Sequence, residues 1–388
     1  MVKNLIGPPV TGDNFYGREK ELEEALILLN QGNSLLLASP RRVGKSSFSR
    51  KIIELSEKQG YSSMYVDLQG VISEQEFGER LADAFRKVKM EESKLYGVMD
   101  SVGRLFHRVK KVEVKGVGLE FREDNAKFYS EVEKLIGNLP KRRVLVVIDE
   151  LAVFLQRIEE QSGIEAVEAI LNWLRKMRQN NQDKLLWIFC SSVSITNYAS
   201  RNNLSYTIND LTPFKLGEMS FEEASGLLHQ LCIGQSKEPF NKEDTETILL
   251  KLGWKLPFFI QLFFNYYQRD VQSYMSIGME AASDKIIDLI ITEHQLSSWS
   301  ERLAGYGKYE KPAQLLLNYL CLPEHKSDRK HLESIIKTAC VQSEDPCLVY
   351  SEVRQMLDTD GYLMEDDKGN IIFRSPIIRQ YWFNKFVK

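Results

Sequence analysis

Long apolar runs are missing from this sequence. Typical apolar runs are Val144–Ile148 and Pro257–Phe264, and the second is broken by Gln261. Neither approaches the ~20 residues that cross a bilayer, so no membrane partner is expected. The N-terminus, Met1-Val-Lys-Asn-Leu-Ile-Gly-Pro-Pro9, lacks the apolar core of a signal peptide, and a cytoplasmic location is expected by default. Cysteine is scarce: five residues, none in a C-x-x-C pair, so neither a disulfide framework nor a zinc site is indicated. Cys190, inside an apolar stretch, reads as a small core residue. An excess of one charge is missing too. A net charge of −3 gives no global pull toward nucleic acid, though it leaves room for a local basic patch.

What is present describes an ordinary globular chain, 43% hydrophobic and 27% charged. Its 388 residues exceed the ~250–300 at which one core stops growing, so two or three domains are expected. The stretch around which they are organised is Ser39-Pro-Arg-Arg-Val-Gly-Lys-Ser-Ser47. It follows an apolar run, Leu35–Ala38, and leads into a helical pattern from Phe48 to Leu55. Strand, tight loop and helix match the phosphate-binding spacing G-x-x-x-x-G-K-[ST], with Ser39 in place of the first glycine. Backbone N–H groups of Arg42, Val43, Gly44 and Ser47 would curl around phosphate oxygens at the positive end of the helix. Gly44 permits the close backbone approach. Lys45 would reach the β- and γ-phosphates, and the Ser46 hydroxyl would ligate Mg²⁺. ATP or ADP with Mg²⁺ is therefore the expected cofactor set.

The second informative stretch is Val144-Leu-Val-Val-Ile-Asp-Glu150. A continuous β-branched and apolar run fits a strand buried on both faces of a parallel sheet. Asp149 at its carboxyl end would hold the Mg²⁺ shell, and Glu150 would activate the attacking water. Leu185–Ser192 is another buried strand, ending in hydroxyls. Ser191 and Ser192 are candidates to sense the γ-phosphate or hold that water, and Ser192 is taken as the catalytic one. Arg201 is a candidate for action in trans in an oligomer. Asn14–Leu22 forms a turn at Gly17 and then a helix, with Arg18 as a nucleotide-side candidate. Asp67, near the end of a strand at 62–68, reads as a loop cap. Ser73–Glu76 has the spacing of a capping box. Gly253-Trp-Lys-Leu-Pro257 places Pro257 at a helix start, where its ring could pack on adenine.

The fold class expected is α/β: a P-loop NTPase core with a parallel sheet at 1–215, an all-α lid at 216–305 and a winged helix at 306–388. A hairpin insert is expected at about 108–124. The winged helix is read from helices at 312–320, 331–340 and 347–357, a hairpin turning at Lys368-Gly-Asn370, and a last helix at 376–386. Its third helix offers Glu352, Arg354, Gln355 and Asp358, and its wing Glu365-Asp-Asp367. That surface would repel phosphate, so a protein-facing or intramolecular role is favoured over nucleic acid.

Phe15-Tyr-Gly-Arg-Glu19, Pro40–Ser46, Ile148-Asp-Glu150, the Ser191-Ser192 strand end, Gly253…Pro257 and the C-terminal winged-helix pattern, taken as a set, resemble the STAND class of P-loop ATPases. That branch contains archaeal-type ATPases and related prokaryotic signalling NTPases. The resemblance implies a slowly hydrolysing ATPase switch, with a protein partner or a homo-oligomer in the ATP state. The sensor repeats and effector domain usual in that class have no room here. A second reading is a DNA-associated ATPase similar to replication initiators or transposition regulators. Those commonly carry a lid arginine that contacts γ-phosphate, and Leu256-Pro-Phe-Phe-Ile260 has none. A nucleotide-dependent kinase or transferase is the third reading, and the lid and winged helix argue against it.

Overall fold

The computed structural model describes all residues except Met1, 96–120, 140–141, 192–193, 294–295 and 341–344, and omits the side chains of 91–95 and 121–128. The chain divides into two compact units. A sheet unit comprises Lys20–Ala38 and Phe48–Phe214. A helical unit comprises Met1–Glu19, Ser39–Ser47 and Lys215–Lys388.

In chain order the sheet unit takes in α1 (Glu19–Asn30), β1 (Leu35–Ala38), α2 (Lys45–Lys58), β2 (Ser62–Asp67), α3 (Glu74–Leu95), α4 (Phe121–Gly137) and β3 (Val144–Asp149). It continues with α5 (Leu151–Ser162), α6 (Ile164–Asn180), β4 (Leu185–Ser191), α7 (Ile195–Arg201) and β5 (Thr212–Phe214). The first residues of α1 and α2 belong by contact to the helical unit. The five strands lie in the order β2-β3-β4-β1-β5, all pairs parallel. Every residue of β3 and β4 is buried, as continuous apolar strands at the centre of a covered parallel sheet require. β1 shares an edge with β4, so Ala38 sits opposite Ser191. Ile148 sits opposite Phe189, and Asp149 is the next residue along β3. The ends of β1, β3 and β4 therefore share one edge of the sheet, where α/β proteins bind ligands.

Local sequence explains the helix starts. The Ser73 hydroxyl accepts the Glu76 N–H at 3.1 Å, while the Glu76 carboxylate accepts the N–H of Ile72, one residue before the reciprocal capping-box position. The expected hairpin at about 108–124 lies largely outside the described residues, and its last positions open α4.

The helical unit continues with α8 (Phe221–Gly234), α9 (Lys242–Leu252), α10 (Pro257–Tyr267), α11 (Val271–Ile277), α12 (Met279–Thr292) and α13 (Ser297–Glu301). It ends with α14 (Glu310–Leu320), α15 (Arg329–Lys337), α16 (Pro346–Thr359), the antiparallel hairpin β6 (Leu363–Glu365) and β7 (Ile371–Phe373), and α17 (Pro376–Phe386). α8 opens with a complete capping box, Ser220 with Glu223. α10 starts at Pro257 and buries Phe258, Phe259, Phe263 and Phe264 among others. Each such side chain contributes about 1.5–3 kcal/mol by leaving water. The hairpin turn is held by Asp366, whose carboxylate accepts the N–H groups of Lys368 and Asn370. Among the described residues no single helix is long and apolar enough to cross a membrane.

Candidate functional site

The loop after β1 is held from inside. The Lys45 ammonium donates to the carbonyl oxygens of Ser39 and Pro40, both at 2.8 Å. Two loop residues take left-handed backbone: Arg42 at φ 68° and Gly44 at φ 97°. A Cβ added at Gly44 would meet nothing within 4 Å, so dihedral freedom, not crowding, requires the glycine. Arg42 has no such freedom and bears a cost of about 1–2 kcal/mol for its conformation. Its guanidinium lies 4.4 Å above the Phe258 ring of α10. Burial, and then the neighbouring Arg41 charge, lower its pKa. Val43 is buried, and Ser47 Oγ accepts the Val10 N–H at 3.0 Å.

Ser39, which stands where the phosphate-loop pattern has glycine, uses its hydroxyl. Oγ accepts the Leu216 N–H at 2.6 Å, a bond glycine cannot make, and so ties the loop to the segment before α8. Gly361, at φ 85° after α16, packs on the same loop. A Cβ there would lie 2.7 Å from Pro40 and 2.8 Å from Trp254.

In the sheet unit, Asp149 ends β3 at 6% exposure. Its Oδ1 accepts the Glu150 N–H at 3.0 Å, and the Tyr65 hydroxyl donates to its Oδ2. Glu150 follows at φ 60°, ψ 31°, a left-handed non-glycine residue from which α5 departs. The Glu150 side chain makes no capping bond to α5. Ser191 does that work from β4, its Oγ accepting the Ala152 N–H at 3.2 Å. Ser192 lies outside the described residues. Arg201 is half-buried at the end of α7. Asp67 caps its own turn, accepting the Gln69 N–H at 2.8 Å, as its position in the sequence suggests.

Arg18 and Pro257 both belong to the helical unit. Arg18 is 3% exposed and left-handed at φ 71°. Its guanidinium donates to the carbonyls of Gly217 and Glu218 at 2.6 and 3.1 Å, and its N–H donates to Glu223 Oε1 at 2.7 Å. It thus fastens the turn before α1 to the segment preceding α8. Pro257 is the first residue of α10, and Gly253 upstream meets the Pro376 ring, which lies 2.6 Å from a would-be Cβ.

Glu223 supports a pH prediction. Burial pushes its carboxyl up, but the N–H donors of Ser220 and Arg18, with the Arg18 charge, outweigh burial and hold it below the usual carboxylate range. A folded pKa below the unfolded value of about 4.3 means a contribution that is complete above that pH and is lost as pH falls through the folded value. Glu223→Gln is expected to cost about 1 kcal/mol at neutral pH, a low figure because the group is half-exposed. Thermal melts taken from neutral pH down to about pH 2–3 should show the gap to wild type closing below about pH 4. A gap independent of pH would refute this.

Among the described residues no group of three or more His, Cys, Asp or Glu could hold a metal ion. The Ser46 hydroxyl and the Asp149 carboxylate are each hard oxygens of the kind Mg²⁺ takes.

Residues 15–255 match the profile of a family described as an ATPase domain predominantly from Archaea. The match spans well over half of the 388 residues. The chain belongs to this ATPase-domain family. The match takes in Arg18, the phosphate loop, Asp149, Glu150 and Ser191, and stops just short of Pro257. In fold, this family member is similar to the Walker-type ATPase of Pyrococcus abyssi, at TM-score 0.64 and 14% identity over 98% of this chain and 99% of that one. More remotely it is similar to the ORC1 protein of Aeropyrum pernix in complex with DNA, at 0.43 and 11% over 96% and 94% of the two chains. AMPPCP-bound DnaA from Aquifex aeolicus gives 0.38 and 14% over 91% and 90%. The first speaks for the fold; the other two lie too far away to do so. No curated protein sequence matches the chain.

Proposed function

We propose that this member of the family binds ATP with Mg²⁺ and hydrolyses it slowly, and that its C-terminal part passes the nucleotide state to a partner. The observation that carries the proposal is the G-K-S loop leaving β1 at the sheet edge where β3 ends in Asp149-Glu150. On this reading the loop N–H groups and Lys45 bind the phosphates, exchanging the Ser39 and Pro40 carbonyls for phosphate oxygens. Ser46 and Asp149 are the residues that would hold Mg²⁺, which would supply positive charge against the charge developing on the phosphates. Glu150 takes a proton from water as its oxygen attacks the γ-phosphorus, and the bond to the ADP oxygen breaks. The family match and the Pyrococcus abyssi fold support the ATPase; the roles of Ser192, Arg18 and Pro257 rest on the sequence pattern.

α14 to α16, the hairpin and α17 are read as a winged helix, and the helices before them as a lid. For the partner, ORC1 of Aeropyrum pernix is described in complex with DNA. DNA contact is that protein's property, carried here as a proposal. What favours it on this chain is the exposed cations Lys326, Lys330 and Lys337 along and before α15. α16 would not be the reading helix. Its exposed residues Cys347, Leu348, Ser351 and Gln355 carry no cation, and Arg354 and Arg374 are paired with Asp358 at 3.8 and 2.9 Å. That uncharged face favours the second reading, a signalling switch acting on a protein, which otherwise rests on motif resemblance.

Lys45→Ala tests the activity. Losing a charged hydrogen-bond donor should weaken ATP binding about ten- to a hundredfold, measured with a fluorescent nucleotide. Unchanged affinity would overturn the loop assignment. Duplex DNA binding, followed by fluorescence anisotropy, tests the partner. Three cations on phosphates predict roughly 40-fold weaker binding at 200 mM than at 50 mM salt. No salt-sensitive binding, together with a mass increase by light scattering in a non-hydrolysable ATP analogue, would favour the protein-facing switch.

A further inference from the structure

Asp149 is a short side chain at a strand end, and a carboxylate there rotates about a soft terminal torsion unless something holds it. In this chain both oxygens are held. The Glu150 N–H takes Oδ1, and the hydroxyl of Tyr65, 84 residues earlier, takes Oδ2. The parallel register explains why Tyr65 reaches. Tyr65 pairs with Val147 and Asp67 with Asp149. Alternation puts Tyr65 on the same face as Asp149, one diagonal step back, a span that a tyrosine covers. The ring is braced in turn by Arg50 of α2, whose guanidinium lies 4.3 Å over it. The Glu150 N–H and the Tyr65 hydroxyl are neutral donors that fix the direction of the carboxylate.

We propose that Tyr65 is the positioning residue for Asp149, holding its carboxylate in the orientation that receives the divalent cation accompanying ATP. The proposal rests on the reading of Asp149 given above. Tyr65 touches neither substrate nor cation; it acts through Asp149. Second-layer partners of metal-holding carboxylates commonly change metal affinity by 10–100-fold when removed.

The test is Tyr65→Phe, which deletes one oxygen and keeps the ring under Arg50. Affinity for a fluorescent ADP is measured without metal and across a Mg²⁺ titration, and steady-state phosphate release is measured over the same titration. Metal-free ADP affinity should stay within twofold of wild type. The Mg²⁺ concentration giving half of the metal-dependent change should rise about tenfold, in binding and in turnover alike. A purely structural role would lower the melting temperature and leave that midpoint in place, and this result overturns the proposal. If wild type itself gains no affinity from Mg²⁺ while Lys45→Ala still weakens binding, the metal role of Asp149 fails, and the role of Tyr65 fails with it. If Lys45→Ala has no effect, the nucleotide reading as a whole is at fault.

Discussion

Replacing Glu150 by glycine should abolish ATP hydrolysis and stabilise the protein in one step. Glu150 sits at φ 60°, ψ 31° between β3 and α5. That conformation costs a non-glycine residue about 1–2 kcal/mol, which glycine escapes. The greater freedom of glycine in the unfolded chain returns about 0.5–1 kcal/mol of this. The net gain is about 0–1.5 kcal/mol. The Ser191 bond to the Ala152 N–H still anchors the start of α5, so the fold should tolerate the change. Losing the proposed general base should cost 10²- to 10⁴-fold in turnover. Glu150→Gln separates the two effects: it keeps the strained backbone and removes only the base. Its turnover should fall as far as that of the glycine variant, with the melting temperature of wild type and ATP binding intact. Phosphate release and thermal melts on the three proteins decide the matter. Turnover within twofold of wild type in Glu150→Gln would remove Glu150 from the chemistry. A lower melting temperature in Glu150→Gly would remove the strain argument. Backbone strain at a catalytic position is a recognised way for a site to fix a side chain's direction, and the strain here falls on the residue that the sequence nominates as the base.

Arg302→Ala should be the most destabilising single change among the buried polar groups of the helical unit. Arg302 and Asp360 expose only 4% of each side chain, and their ion pair is 2.9 Å long. The Tyr306 hydroxyl donates to the other Asp360 oxygen, also at 2.9 Å. Removing the arginine leaves a buried carboxylate without its counter-charge, at a cost of about 3–5 kcal/mol. The arginine itself is under-satisfied, because Nε and Nη1 have no hydrogen-bond partner among the described residues. The pair therefore adds little beyond what an apolar pair of similar volume would supply. Arg302→Met with Asp360→Leu should recover most of the loss. Urea unfolding of the single and double variants measures both. A single-variant cost below 1 kcal/mol, or a double variant as unstable as the single, would contradict the burial argument. Asp360 directly precedes Gly361, which packs on Pro40 of the phosphate loop. Loosening this corner should thus also weaken nucleotide binding.

The parts readable from sequence share one property: the partners are near one another along the chain. The phosphate loop is a covalently fixed spacing between β1 and α2, and Gly44 alone announces its left-handed turn. β3 announces itself by an unbroken apolar run ending in two acids, because a strand covered on both faces can hold little else. The α8 cap, the start of α10 at Pro257 and the Asp366 turn are likewise local. α5 went unmarked, although Leu151, Leu155 and Ile158 carry its helical period directly after Glu150.

The features left to tertiary structure join residues far apart. Tyr65 reaches Asp149 only because β2 and β3 pair in one particular register, and a slip of one residue would turn its ring to the opposite face. The Ser39 hydroxyl reads as a flaw in the loop pattern until Leu216, 177 residues away, is seen to donate to it. The Arg18 guanidinium meets its carbonyl partners, Gly217 and Glu218, across 199 and 200 residues of chain. The left-handed backbone of Arg42 and Glu150 has no local signal, since neither residue type favours it. Short-range chemistry is written in neighbouring letters. Register and packing sum many weak contacts across the chain, and no single stretch of sequence contains that sum.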